Sequence, residues 1–386
     1  MHLRSLSIIN SCIRMCIDPC LHGPIQPEHL YGCQDLLFRL YIITSILLII
    51  IMVKVSFASN DCSDMGHTLS EPVTSKTTSS CENHYVKVGS SCMQGWRINM
   101  EDAHTHLLSL PSDRECCYFG VFDGHGGAKV AQYAGNNLHK RIVCSEYYSR
   151  ANIAEALRQG FLQLDTEMLK DDTMKDELAG TTALVVLLKN NKLYCGNVGD
   201  SRAVASVAGM VEVLSFDHKP SNDNETRRIV AAGGWVELNR VNGNLALSRA
   251  LGDFVFKKND KKKPEEQIVT AFPDVVEKDI TLDWEFIVLA CDGIWDVLEN
   301  EDVVKFIRAR IAQRMPPETI CEELMTACLA PDCNMGGLGC DNMTVVLVCF
   351  LHGGTYDELA KKCARPITHS ISALHNDNSL NSLDLK

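Results

Sequence analysis

The sequence has no CxxC pair and no His/Cys grouping with zinc-like spacing, although it carries 18 cysteines. That absence argues against a zinc module and against a dithiol redox motif. Cys195, Cys291 and Cys349 sit inside apolar runs, where cysteine acts as a small buried hydrophobe. Reduced thiols, and with them a cytoplasmic or nuclear setting, are the expectation. Positive charge is not in excess either. A formal net charge of −12 disfavours non-specific contact with nucleic acid, and with it a metal-dependent nuclease, which would want a basic groove. The longest uncharged apolar run, Leu40 to Val53, has 14 residues and is closed by Lys54. That is short of the ~20 a membrane-spanning helix needs. No internal repeat stands out.

What is present reads as globular: 386 residues, 46% hydrophobic and 22% charged, enough for one large α/β domain or two ordinary ones. Residues 1–64 differ from the rest. They hold Cys12, Cys16 and Cys20 at regular spacing and a net charge of −1, leaving −11 to the remainder. The segment reads either as sequence upstream of a genuine start at Met65 or as a membrane anchor. A secretory signal would not begin forty residues in. Met65-Gly66-His67-Thr68-Leu69-Ser70 fits the N-myristoylation pattern, which puts a lipid on Gly66 and peripheral membrane association among the expectations. Residues 65–80 then read as an N-terminal linker, 81–352 as the folded domain and 353–386 as a flexible tail.

Within that domain the pattern switches repeatedly between sheet and helix. Residues 116–123 form a buried strand run, and 126–144 read as a helix opened by a glycine turn. Ile153, Leu157, Leu164 and Met168 recur at helical spacing. Short strands are expected over 181–189, 192–198, 202–207 and 211–216, with turns at Asn190-Asn191 and Gly209-Met210. Further strands fall at 286–291 and 343–351, separated by helices over 301–312 and 317–330. Successive hairpins argue for antiparallel sheet, and paired helices for covering layers. The expected fold is α+β: an antiparallel β-sandwich core flanked by helices on both sides.

Three aspartates lie at the ends or starts of apolar strand runs: Asp123 in VFDGHGG, Asp292 in VLACDGIWD and Asp341 in CDNMTVVLV. Taken singly, each fits an ordinary turn. Taken together, they are carboxylates that a sheet would deliver to its rim, and hard divalent cations take such oxygen ligands. A two-metal carboxylate cluster hydrolyses phosphoryl groups. Gly124, directly after Asp123, would let backbone and metal approach closely. The block GWRINMEDAH adds Arg97, a fork for phosphate oxygens, followed by Glu101, Asp102 and His104.

These blocks, with AGTTA (179–183), NVGDSRAV (197–204), DHKPSN (217–222), RVNGNLALSRALGDF (240–254), ACDGIWDVL (290–298) and DNMTV (341–345), resemble the metal-dependent protein phosphatase 2C family in order and across Cys81 to Leu351. The resemblance implies a four-layer α-β-β-α fold and hydrolysis of phosphoserine and phosphothreonine by a water or hydroxide activated by two Mn²⁺ or Mg²⁺ ions. It implies that Asp123 bridges the ions with the Gly124 carbonyl as a ligand. Asp292 and Asp341 would complete the shell, and Glu101 and Asp102 would hold metal waters. It gives Arg97 the substrate phosphate and His125 the departing oxygen, although a histidine that only positions a carboxylate is the alternative. A third, weaker ion would use an acidic residue near Asp176 or Glu177. The lysine-rich stretch 256–267 either favours acidic phosphopeptides or is a solvated loop. Partners would be phosphoprotein substrates, with a monomer expected. An inactive phosphoprotein-binding scaffold of the same fold is the competing function, and such a scaffold should have lost a carboxylate.

Overall fold

The computed structural model describes residues 68–333 and 337–366, within the second of two compact units, His67–Lys386. The readings placed on residues 1–64, on Met65-Gly66 and beyond residue 366 lie outside the described residues. No helix among the described residues is long and apolar enough to cross a membrane.

The chain opens with a long hairpin, β1 (Thr68–Glu82) and β2 (Val86–Arg97), then β3 (Ala103–Leu107), β4 (Cys117–Phe122) and the short β5 (Gly124–His125). Helices α1 (Lys129–Val143), α2 (Glu146–Ser149) and α3 (Ile153–Lys170) follow. Next come β6 (Gly180–Thr181), β7 (Ala183–Lys189), β8 (Lys192–Val198), β9 (Arg202–Val207) and β10 (Met210–Val213). An excursion made of α4 (Asp223–Ala231), the hairpin β11 (Val236–Glu237) and β12 (Arg240–Val241), and β13 (Leu251–Gly252) precedes β14 (Asp274–Asp279) and β15 (Trp284–Ala290). Helices α5 (Asp292–Trp295), α6 (Asn300–Ala312) and α7 (Pro317–Cys328) lead to β16 (Met343–Phe350) and α8 (Tyr356–Cys363).

Two antiparallel sheets stack face to face, ordered β1-β2-β16-β15-β9-β10 and β14-β8-β7-β4-β3. Alternation along each strand sends neighbouring side chains to opposite faces. In β4, Phe119 and Val121 enter the layer between the sheets, while Tyr118 and Phe122 pack under α1 and α3. In β15, Ile287 and Leu289 face the inter-sheet layer, and Phe286 and Val288 meet α6 and α7. Central strands buried on both faces need continuous apolar runs, which is why they stand out in the sequence. Each such fully buried side chain contributes roughly 1.5–3 kcal/mol through removal from water. The resulting order is helix, sheet, sheet, helix.

Four expectations change. The linker read over 65–80 is the edge strand β1, hydrogen-bonded to β2 from Thr68↔Arg97 to Glu82↔Lys87, with register shifts on either side of Val73. An edge position tolerates Pro72 and a Ser/Thr-rich composition, which had made the segment look like a linker. The tail read from residue 353 includes α8, opened by a capping box of Thr355 and Glu358 and burying Leu359, Ala360 and Cys363. The second hairpin turn is Ala208-Gly209, both at positive φ (50° and 83°), rather than Gly209-Met210. One disulfide, Cys333–Cys340, departs from the fully reduced set, while eleven other described cysteines are free.

Candidate active site

The carboxylates gather at one end of the sandwich because four connections between strands lie there. β4 runs out at Phe122 into Asp123, β15 at Ala290 into Asp292, and β16 starts just after Asp341. Between β2 and β3 lie Glu101 and Asp102, and between β8 and β9 lies Asp200. Ligand atoms of Asp123, Asp200 and Asp292 lie within 4.8 Å of one another, as do those of Asp102, Asp123 and Cys291. Asp123 and Asp292, brought together as the sequence led us to expect, thus share their space with a carboxylate not foreseen. Asp200 is 5% exposed and forms an ion pair with Lys219.

Backbone and hydroxyl contacts fix this cluster. Asp123 N–H donates to Thr182 Oγ1 (3.0 Å), and Thr182 N–H returns to the Asp123 carbonyl (2.9 Å). Thr344 Oγ1 donates to Asp102 Oδ2 (2.7 Å). The Asn342 side chain accepts from Glu101 N–H (2.9 Å) and donates to the carbonyls of Gln94 (2.8 Å) and Asn99 (3.0 Å). It therefore staples the loop carrying Arg97 and Glu101 to the start of β16. Gly124 is needed for this approach, since a Cβ there would lie 2.3 Å from the Glu101 carbonyl oxygen.

Electrostatics show what the cluster suits. Burial, reinforced by neighbouring carboxylates, raises Asp123 and Asp292 well above the usual carboxylate range. Asp102 is pushed up to about 7, chiefly by burial. Asp341 is raised by burial against the opposing pull of Arg97. Like charges this close are poorly compatible with full ionisation unless a cation sits among them. The donors are oxygens from carboxylates, so hard divalent cations fit the residues present. Cys291 stays a thiol, because burial and the surrounding carboxylates raise it well above its ordinary value.

Arg97 stands at the rim with its side chain 53% exposed, Nη2 donating to Asp341 Oδ2 at 2.5 Å. His125 is held from the other side: its Nε2 lies 2.7 Å from Oδ2 of Asp253, whose side chain is 4% exposed. The small sheet β13-β6-β5 makes that pairing, placing Leu251-Gly252 and Gly124-His125 on either edge of Gly180-Thr181. A Cβ on Gly180 would lie 2.2 Å from Asp253 Oδ2 and 2.5 Å from His125 Nε2, so the dyad requires glycine there. Burial pulls the His125 pKa down, but the charge and hydrogen bond of Asp253 outweigh it and leave the ring above its usual value.

Three residues from the sequence reading, His104, Asp176 and Glu177, do not join the cluster. His104 points into the seam between the sheets, bonded to Ser90 Oγ (3.2 Å), and burial holds it down at about 4. Glu177 forms an ion pair with Lys129, and Asp176 is exposed, so the carboxylate beside Asp123 and Asp292 comes from Asp200 instead. In the lysine-rich stretch, Lys257 turns inward to Asp165 (2.8 Å), and Gln267 bonds the carbonyls of Asn259 and Lys262 (2.9 and 3.1 Å).

Comparison with known proteins agrees with this geometry. The model of the family described as Protein phosphatase 2C matches residues 86–336. The chain belongs to the protein phosphatase 2C family. It is 65% identical over 302 residues to a probable protein phosphatase 2C of Caenorhabditis elegans, covering 78% of this chain and 85% of that one. It is 50% identical over 294 residues to protein phosphatase 2C homolog 2 of Schizosaccharomyces pombe, covering 75% and 80%. Among solved structures it is similar to a phosphatase from Toxoplasma gondii, with a TM-score of 0.61 and 29% identity, covering 72% of this chain and 96% of that one. The chain is accordingly a protein serine/threonine phosphatase. Nothing favours the inactive scaffold, since no carboxylate expected of the site is missing.

Proposed function

We propose that the cluster of Asp123, Asp292, Asp341, Glu101 and Asp102, with the Gly124 carbonyl, holds two Mn²⁺ or Mg²⁺ ions for hydrolysis of phosphoserine and phosphothreonine in proteins. Asp200, whose carboxylate lies within 4.8 Å of those of Asp123 and Asp292, would add a further oxygen donor to that site. The observation that supports this best is the packing of mutually repelling, buried carboxylates at one sheet rim, next to an exposed guanidinium. When bound, divalent cations supply Lewis-acid activation of water and of the phosphoryl group. Arg97 binds the phosphate dianion, which can compete with Asp341 for its fork. His125, with Nε2 committed to Asp253, offers Nδ1 to the departing serine or threonine oxygen. Asn342 and Thr344 keep the carboxylates in register.

The test is hydrolysis of a phosphothreonine peptide by purified protein. Activity should require Mn²⁺ or Mg²⁺, and Asp292→Ala should lower it by several orders of magnitude; an unchanged rate in that variant would remove the two-metal account. Two finer readings belong with this one: a monomer, and a lipid on Gly66 that brings the enzyme to membranes. Mass spectrometry of the native N-terminus decides the second, since peptides from residues 1–60 in the mature chain would exclude acylation at Gly66.

A further inference from the structure

Cys340 directly precedes Asp341, and its sulfur is bonded to that of Cys333 at a sequence separation of 7. Eleven other described cysteines are free, so oxidation singles out the pair beside a proposed metal ligand.

Asp341 is held from both sides in the chain. On its C-terminal side, Asn342 N–H donates to Asp341 Oδ1 (2.7 Å), the Asn342 amide staples the β2–β3 connection, and β16 follows. On its N-terminal side, no described strand or helix intervenes back to Cys328 at the end of α7. There the chain is closed by the Cys333–Cys340 bond and, across the base of the loop, by Ala330 N–H donating to the Gly339 carbonyl (2.9 Å). Gly339, at φ 78°, lets the turn lie against α7, since a Cβ would come 2.4 Å from the Cys328 carbonyl oxygen. The Ala330 carbonyl accepts from Trp96 Nε1 (3.0 Å), one residue before Arg97. The bridged loop thus adjoins both Asp341 and the strand end that carries the phosphate fork. Access to the bond is one-sided. Cys340 is buried, whereas Cys333 is half-buried and follows the exposed Pro331 and Asp332, so a small reductant reaches the Cys333 sulfur.

We propose that Cys333 and Cys340 form a reversible oxidation site that sets how firmly Asp341 is held for metal. Oxidation by hydrogen peroxide takes two electrons and two protons from the two thiols, joins the sulfurs and yields two waters. Two molecules of a small thiol reverse it: the first attacks the Cys333 sulfur, the second releases it, and they leave as their own disulfide. Joined, the loop has less freedom and presents Asp341 preformed; open, Asp341 must be ordered when a cation binds. This rests on the metal reading of Asp341 and adds regulation to it.

The test compares full-length wild type, oxidised with hydrogen peroxide or reduced with a phosphine and desalted, with Cys333→Ser after the same two treatments. Peptide mapping after alkylation should find Cys333 and Cys340 joined in oxidised wild type and both alkylated in reduced wild type. Calorimetric titration of chelator-treated protein with Mn²⁺ should show one site weakened by about tenfold on reduction, the low end of what groups orienting a metal ligand contribute. Cys333→Ser should show the weaker affinity after both treatments, which assigns the effect to this pair and not to the other cysteines. Alkylation of both residues after peroxide, equal Mn²⁺ affinities in oxidised and reduced wild type, or a Cys333→Ser variant that still responds would each overturn the proposal. If wild type binds no Mn²⁺ in either state, the metal reading of Asp341 fails and takes this inference with it.

Discussion

Replacing Asp253 by asparagine removes a charge from His125 while leaving a side chain of the same shape. The carboxylate is buried, lies 2.7 Å from Nε2 and is the main influence raising the ring's pKa against the effect of burial. A hydrogen bond to a charged group is worth about 1.5–3 kcal/mol, so losing it should cost roughly 10- to 150-fold in any step that needs the imidazolium. That step is protonation of the leaving oxygen. A phosphothreonine peptide expels an alkoxide and needs the proton, whereas p-nitrophenyl phosphate expels a stable phenolate and does not. Asp253→Asn should therefore lower kcat for the peptide by roughly 10- to 150-fold and kcat for the aryl phosphate by less than about threefold. Steady-state kinetics on both substrates, at saturating Mn²⁺, reads the split. Equal losses would mean that Asp253 merely supports the fold around the cluster. No loss on either substrate would mean that His125 does not donate the proton.

Gly180→Ala should reproduce that pattern from the opposite direction, since its methyl would lie 2.2 Å from Asp253 Oδ2. Circular dichroism should show a folded protein, and the peptide should again lose more than the aryl phosphate. Arg97→Ala should chiefly raise KM for the phosphopeptide, by about tenfold or more, because phosphate binding is shared by ground and transition states; a fall in kcat alone would contradict this. Glu225 is buried, where desolvation raises its pKa, yet Arg249 and Arg228 overcome that and bring it from 4.5 down to about 2. A depressed carboxylate pKa adds stability that is present above about pH 4.5 and disappears as pH falls towards 2, here about 3 kcal/mol. Glu225→Gln should lower the thermal midpoint at neutral pH and flatten its decline in acid, as measured by unfolding from pH 7 to pH 2.

Elements buried on both faces were legible in the sequence: β4, β7, β15 and β16 are continuous apolar runs, and the turns that follow or precede them carry Asp123, Asp292 and Asp341. β1 was not legible, because an edge strand with one wet face can be built from serine and threonine and still pair with β2, without a break in register from Lys76 to Glu82. Helix α8 was overlooked although Thr355 and Glu358 spell a capping box. Asp200 carried the same signal as its neighbours, an aspartate in the turn after an apolar strand, in the GDSR run after β8. Asp253 offered no such local pattern. It lies 128 positions from His125 and meets it only through the pairing of β13, β6 and β5.

The most direct measurement of the central claim counts metal and activity together in wild type and Asp123→Ala. Chelator-treated protein should be inactive on a phosphothreonine peptide, regain activity on titration with Mn²⁺ and show a raised thermal midpoint, with calorimetry giving about two ions per chain. Asp123→Ala should fold, lose most of that binding and lose activity by several orders of magnitude. Full activity in metal-free wild type, or in Asp123→Ala, would contradict the account.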